Sequence, residues 1–446
     1  MDDLLILNAE LVNEGRRWHA DVAIANRRIT AIGADLQGRS ARTQIDASGL
    51  LLLPGMIDDQ VHFREPGLTH KGDIQSESRA AVAGGITSYM EMPNCSPPTL
   101  NREALLAKHA IAAQKSAANY SFYHGASNDN LDDIRVADPK LACAIKVFMG
   151  ASTGNMLVDD AEVLDKIFAE SPLLIATHCE DSPTIEANEA ICVEQYGEAI
   201  PMACHPRIRS AEACLRSSSF AVGLAKTHDA RLHVLHLTTA RELDLFTPGP
   251  IQGKRITGEA CVHHLFFSDA DYAEKGSLIK CNPAIKTNED RRALLAALRE
   301  DRLDVIATDH APHLLDEKAR PYLRAPAGLP LVQDALLSLI QQVKAGNLSL
   351  EQVVQKTSHA PATLFGVAER GFLREDHYAD LVLVDPNRPT LVTREAVRSK
   401  CGWSPFEGTE FGASIHTTII NGTVAYTREG GLQPAPVMAL DCNAVR

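Results

Sequence analysis

Gly55-Met56-Ile57-Asp58-Asp59-Gln60-Val61-His62-Phe63-Arg64-Glu65-Pro66-Gly67 is an apolar run that ends in an imidazole and a guanidinium and then breaks at a Pro-Gly pair. Side chains alternate across a strand, so Asp58, Gln60, His62 and Arg64 share one face of it. Seven further runs of the same kind follow: GITSYMEMP (85–93), NYSFYHGA (119–126), LACAIKVFM (141–149), LLIATH (173–178), RLHVLH (231–236), RITGEAC (255–261) and LDVIATD (303–309). Helical stretches such as REALLAKHAIAAQKSA (102–117), AEVLDKIFAE (161–170) and EDRRALLAALRED (289–301) separate them. Apolar runs alternating with helices are the pattern of parallel β/α units. Eight strands over about 310 residues point to a (β/α)8 TIM barrel, with a doubly wound sheet as the alternative.

Outward from the barrel, the two ends of the chain share a different texture. LLILNAELV (4–12), ADVAIANRRITAIGA (20–34) and TQIDASGLLLLP (43–54) are β-rich and broken by Gly, Asn and Asp. ADLVLVDP (379–386) and HTTIINGTVAYT (416–427) repeat the style, with Asn421-Gly422 as a hairpin signal. The expectation is a small β-sandwich built from residues 1–54 and 367–446, with a barrel of residues 55–366 inserted between them.

Composition narrows the function. The chain of 446 residues has 57 acidic against 44 basic side chains, a net charge of −13, which argues against a phosphate-backbone partner built on Lys and Arg. No run approaches the 18 or so apolar residues of a membrane helix, and MDDLLILNAELV has acids where a signal peptide needs bases. The ten cysteines stand singly, none in a C-x-x-C pair, as in a reduced cytoplasmic protein. A cytoplasmic enzyme of small molecules is expected, a homo-oligomer (dimer), with no nucleic-acid or membrane partner.

Polar residues stand where the apolar strands stop: His62, Asn94, Lys146, His178, His236 and Asp309. Barrel active sites form at the C-terminal ends of the strands, so one fold gathers all six. His178, His236 and Asp309 supply nitrogen and carboxylate ligands suited to zinc. Lys146 has two readings, a salt-bridged lysine or a buried neutral amine that captures carbon dioxide as a metal-bridging carbamate. His19, His109, His228 and His416 read as structural, as does His233, which alternates away from His236. His263 and His264 are ambiguous and stay outside the metal set. Cys179, beside His178, is a candidate neighbour of the metal site, and residues 314–330 are a candidate part of its mouth.

Together these motifs resemble the amidohydrolase superfamily, and within it the multifunctional-type (class I) dihydroorotase family. DDQVHFREPG (58–67) stands where that family has D-x-H-x-H-x-R-x-P-G, with Gln60 in place of the first His. GGITSYMEMPNCSPPT, IKVFMGASTGNM, ATHCED, HVLHLTTA, KCNPAIKTNEDR and ATDHAPH follow in the family's order, and ADLVLVD, SKCGWSPFEG and TIINGTVAY resemble its closing β domain. The resemblance implies one or two Zn2+ ions, with His62, Lys146 and Asp309 on one and Lys146 (N6-carboxylated), His178 and His236 on the other. It implies Asp309 as general base and then acid, Arg64, Asn94 and His313 as the grip on a substrate carboxylate, and Asn282 as a contact to a pyrimidine ring. The implied reaction interconverts carbamoyl aspartate and dihydroorotate in pyrimidine biosynthesis. The alternatives are a dihydropyrimidinase, hydantoinase or allantoinase, or an inactive structural partner of aspartate transcarbamoylase.

Overall fold

The fold is a computed structural model that describes residues 1–150 and 155–442. Eight parallel strands, numbered here in chain order, form the barrel: β1 (Met56–Val61), β2 (Ile86–Glu91), β3 (Asn119–Phe122), β4 (Ile145–Phe148), β5 (Ile175–His178), β6 (Leu232–Val234), β7 (Ile256–Cys261) and β8 (Val305–Ala307). Each falls within one of the eight runs read from the sequence. β1–β3 pair in one group and β4–β8 in the other. Two short links close the ring: His124–Gly125, just past β3, pairs with β4, and Val61 bridges His310 just past β8. His62 N–H donates to the His310 carbonyl at 2.7 Å across that seam.

Nearly every strand residue is buried, because a parallel sheet is covered on both faces. The outer helices turn one apolar face inward. Helix Asn288–Arg299 is capped by Thr287, whose hydroxyl accepts from Asp290 N–H, and buries Leu294, Leu295 and Leu298. Each such leucine contributes about 1.5–3 kcal/mol of burial, and truncating Leu298 to alanine removes about 2–5 kcal/mol.

Both chain ends join one nine-stranded sheet separate from the barrel. Leu51–Pro54, the last strand before β1, pairs in parallel with Asp2–Asn13 on one side and antiparallel with Leu381–Asp385 on the other. Leu4, Ile6, Leu11, Ile24, Leu52, Leu381, Leu383 and Ile419 pack together as its core. A buried polar clamp ties the sheet to the barrel: Asp380 pairs with Arg370 and accepts from Asn119 at the start of β3, and Asn421 Nδ2 donates to Asn119 Oδ1 at 2.8 Å. Among the described residues, no helix is long and apolar enough to cross a membrane.

Candidate active site

The C-terminal ends of the strands meet in a buried polar centre. His62, one residue past β1, places Nε2 3.1 Å from Asp309 Oδ1 and Nδ1 2.7 Å from Asn94 Oδ1. Gln60 Nε2 donates to the same Asp309 oxygen at 3.1 Å. Across the barrel, His178 Nδ1 lies 3.0 Å from His236 Nε2, while His178 Nε2 meets Glu180 Oε2 at 2.9 Å. Lys146 lies between these pairs in strand order, with its amine 4.6 Å from the centre of the Phe148 ring. No ion pair or hydrogen bond holds that amine among the described residues. The Ala151–Gly154 part of the IKVFMGASTGNM stretch lies outside them.

The local backbone is built for aiming these groups. Arg64, His236 and Asp309 all adopt left-handed conformations, with φ of 70°, 39° and 51°. That geometry costs a non-glycine residue about 1–2 kcal/mol, and such strain concentrates at functional sites. The loop after Arg64 needs Gly67 at φ +86°, because a Cβ there lies 1.9 Å from the Ser96 carbonyl oxygen. Asp58 clasps β1 to the end of β8 by accepting from Thr308 N–H and hydroxyl at 3.1 and 2.6 Å.

The protonation pattern fits a cation. Asn94 presents its carbonyl oxygen to His62 Nδ1, so that nitrogen carries the proton and the Nε2 lone pair faces the Asp309 carboxylate. Glu180 likewise accepts a hydrogen bond from His178 Nε2–H and leaves the Nδ1 lone pair facing His236. The His62 Nε2 lone pair and the Asp309 carboxylate, opposed at 3.1 Å, repel unless a cation or proton lies between them. Burial depresses the pKa of His62, His178 and His236 and so disfavours the imidazolium, which leaves neutral His236 able to donate Nε2–H to His178 Nδ1 when no cation is bound. Neutral imidazoles backed by a carboxylate or amide on the second nitrogen are the form that binds metal. Burial also pulls Lys146 down to about 8, within reach of the neutral amine. Glu180 stays ionised at about 2 in spite of its burial, because Arg209 and His178 hold it there.

Beside this centre lies a cationic wall. Arg64 is buried, donates Nε–H to the Pro312 carbonyl at 3.2 Å, and lies 3.0 Å from His313 Nε2. No carboxylate pairs with it among the described residues, and burial lowers its pKa to about 10. His313 Nδ1 meets Lys71 Nζ at 3.0 Å, and its Nε2 also meets the Ala327 carbonyl at 3.0 Å. One imidazole has a single acceptor nitrogen when neutral, so it cannot accept from both cations. Lys71 has Glu317 at 3.2 Å; Arg64 is the one left short. Trp403 Nε1–H fixes this corner by donating to the His313 carbonyl at 2.7 Å. The segment 314–330 reaches the same corner through Ala327.

Of the residues singled out from sequence, the structure thus links His62, Asn94 and Asp309 in one set, His178 and His236 in a second, and Arg64 and His313 in a third. Asn282 stands apart: it precedes a cis proline, and among the described residues its buried Oδ1 has no partner and no hydrogen bond joins it to the other sets. Cys179 donates to Thr177 on its own strand at 3.2 Å, on the face opposite His178. Sequence reading passed over Lys71, Glu180 and Glu259. Glu180 carried a signal, since it stands two residues after His178 on the same side of the chain. Glu259 accepts the His236 N–H at 3.0 Å. With Asp59 it also encloses His233, whose Nε2 lies 3.4 Å from Asp59 and 3.5 Å from Glu259; burial opposes the charge on His233, but the two acids raise its pKa to about 9.

An eight-stranded barrel with a separate sheet, and a histidine–lysine–aspartate centre at the strand ends, define a class. Residues 51–425 match the amidohydrolase family, and the chain belongs to it. Its relatives include the dihydroorotase of Halobacterium salinarum, 34% identical over 409 residues that cover 91% of this chain and 93% of that one. They also include the allantoinase of Bacillus velezensis, 31% identical over 435 residues, 96% of this chain and 95% of that one. Among solved structures, the L-hydantoinase of Arthrobacter aurescens superposes with a TM-score of 0.92 at 27% identity, covering 99% of this chain and 100% of that one. The chain is a hydrolase that acts on cyclic amides.

Proposed function

We propose that this enzyme is a zinc-dependent dihydroorotase that reversibly closes N-carbamoyl-L-aspartate to L-dihydroorotate in pyrimidine biosynthesis. The observation that carries the choice of substrate is Arg64, a buried guanidinium with no carboxylate partner among the described residues. A buried unpaired cation is costly, and a substrate carboxylate relieves that cost through a planar fork of hydrogen bonds. Hydantoin and allantoin bring no carboxylate to this wall. Dihydroorotase relatives at 30–34% identity point the same way.

His62, Asp309 and Lys146 as a carbamate would hold one metal, and Lys146, His178 and His236 a second. Zinc bound there supplies a water acidified toward neutral pH and polarises the amide carbonyl. The chain's own groups do the rest. Asn94 and Glu180 fix the tautomers of His62 and His178, and Glu259 holds the backbone of His236. In ring opening, Asp309 takes the proton from the attacking water and delivers it to the departing ring nitrogen; in ring closure it takes the proton back from the ureido nitrogen. Gln60, donating to Asp309 Oδ1, orients that carboxylate. Arg64 places the substrate carboxylate, Asn94 Nδ2 is available to donate to it, His313 completes the grip, and Asn282 meets the ring. The reading of an inactive barrel is opposed by the presence together of His62, Lys146, His178, His236 and Asp309 at the strand ends with Arg64 beside them.

The test is kcat/KM for L-dihydroorotate, hydantoin and allantoin with one zinc-loaded preparation. Dihydroorotate is expected to exceed both by at least a hundredfold. A preference for hydantoin or allantoin overturns the assignment while leaving the cyclic-amide class intact.

A further inference from the structure

We propose that the end of β7 holds a further metal ion, bound by the thiolate of Cys261 and the imidazoles of His263 and His264. One ligand atom from each lies within 4.8 Å of the other two, and all three residues are buried. Three ring nitrogens here lack any hydrogen-bond partner among the described residues: both of His263 and Nδ1 of His264. Burying such groups unpaired costs about 1–3 kcal/mol each, and a cation here relieves one nitrogen of each histidine. The tautomer of His264 is set, because its Nε2 lies 3.1 Å from the Pro283 carbonyl, which only accepts. The Nδ1 lone pair is therefore the orphan, as a ligand requires. The Thr308 backbone lies near His263 but makes no hydrogen bond of acceptable geometry with it.

Two nitrogens and one sulfur form a donor set suited to zinc and its borderline-soft neighbours rather than to magnesium or calcium. On binding, the Cys261 thiol loses its proton to solvent and the sulfur–metal bond forms in its place. Cys261 Sγ lies 3.8 Å from Gln60 Oε1, and the other end of that amide donates to Asp309. An ion at this site takes the place of the thiol proton that now donates to Glu259 Oε1 at 3.3 Å and faces Gln60 Oε1 at 3.8 Å. It is separate from the catalytic set, whose donors are nitrogen and oxygen only.

That difference supplies the test, which needs no substrate. Metal-free full-length protein is titrated with Co2+ and followed in the near-ultraviolet, where thiolate-to-cobalt charge transfer absorbs. The wild type is expected to develop this band and bind one equivalent more than Cys261→Ser, by elemental analysis. Cys179→Ser, altered beside the catalytic ligands, is expected to keep the band. Absence of the band in the saturated wild type, or its persistence in folded Cys261→Ser, overturns the site. If Cys261→Ser does not fold, X-ray absorption of the zinc-loaded Cys179→Ser variant decides: a sulfur shell at about 2.3 Å supports the site, and nitrogen and oxygen shells alone refute it.

Discussion

Replacing Arg64 with methionine keeps the length and most of the volume of the side chain while removing its charge. In the folded protein the guanidinium is fully desolvated and its pKa falls from 12.5 to about 10, which at neutral pH is a cost of about 3 kcal/mol borne by the native state. Arg64→Met lifts that cost and gives up the hydrogen bond to the Pro312 carbonyl, worth about 1.5–3 kcal/mol. The two partly cancel, so thermal stability is expected to change by less than about 1.5 kcal/mol. Catalysis is expected to respond differently. Losing a buried charged fork on the substrate carboxylate costs about 3–4 kcal/mol of transition-state binding, or roughly 10²–10³ in kcat/KM for dihydroorotate. Hydantoin, which has no carboxylate to lose, is expected to be opened at an unchanged or higher rate. Parallel steady-state assays and calorimetric melting of the two proteins measure all three quantities. Dihydroorotate activity within tenfold of wild type, or destabilisation beyond about 2 kcal/mol, refutes the reasoning, because Arg64 is then a structural residue.

Glu180→Gln weakens the carboxylate that anchors His178 Nε2 and leaves Arg209 short of its partner; metal affinity is expected to fall about 10–100-fold in a competition titration. Asp309→Asn preserves the left-handed backbone, which asparagine tolerates, so the fold is expected to melt normally while single-turnover ring opening slows by about 10²–10⁴. Asp334, buried with Ser404 as its one side-chain hydrogen-bond partner among the described residues, has its pKa raised from 3.8 to about 6 by desolvation. The native state then binds the proton more tightly than the unfolded chain, so this group's contribution is complete below pH 4 and is lost as pH rises through 6. Asp334→Asn is accordingly expected to be more stable than wild type at pH 7.5 by up to about 3 kcal/mol, and to lose that advantage near pH 4, as read from urea unfolding at the two pH values.

How much of this was legible in the sequence depends on which physics each residue answers to. Most of the barrel strands were legible because a parallel strand buried on both faces tends to be a short, nearly continuous apolar run; β1, with Asp58, Asp59 and Gln60 inside it, was legible instead from its alternation and the Pro-Gly break that follows. The strand-end residues were legible for a related reason: His62, His178 and Asp309 interrupt runs that have no other cause to stop in polar groups. The supporting residues were not. Glu180 and Glu259 act through single hydrogen bonds to a ring nitrogen and a backbone N–H, and Lys71 reaches His313 across 242 positions of chain, a pairing no local pattern encodes. Nor does any local pattern announce the left-handed backbones of Arg64, His236 and Asp309, which arise where the strand ends meet the loops. His263 and His264 stayed ambiguous because adjacent histidines are equally common as packed core residues; only their unpartnered nitrogens beside Cys261 separate the two cases.

The most direct measurement is ring opening of L-dihydroorotate by the purified protein, before chelation, after removal of metal, and after zinc is restored. Activity that disappears with the metal and returns with zinc is the expected result. Zinc-replete protein that leaves dihydroorotate intact, or activity indifferent to chelation, contradicts the account at its centre.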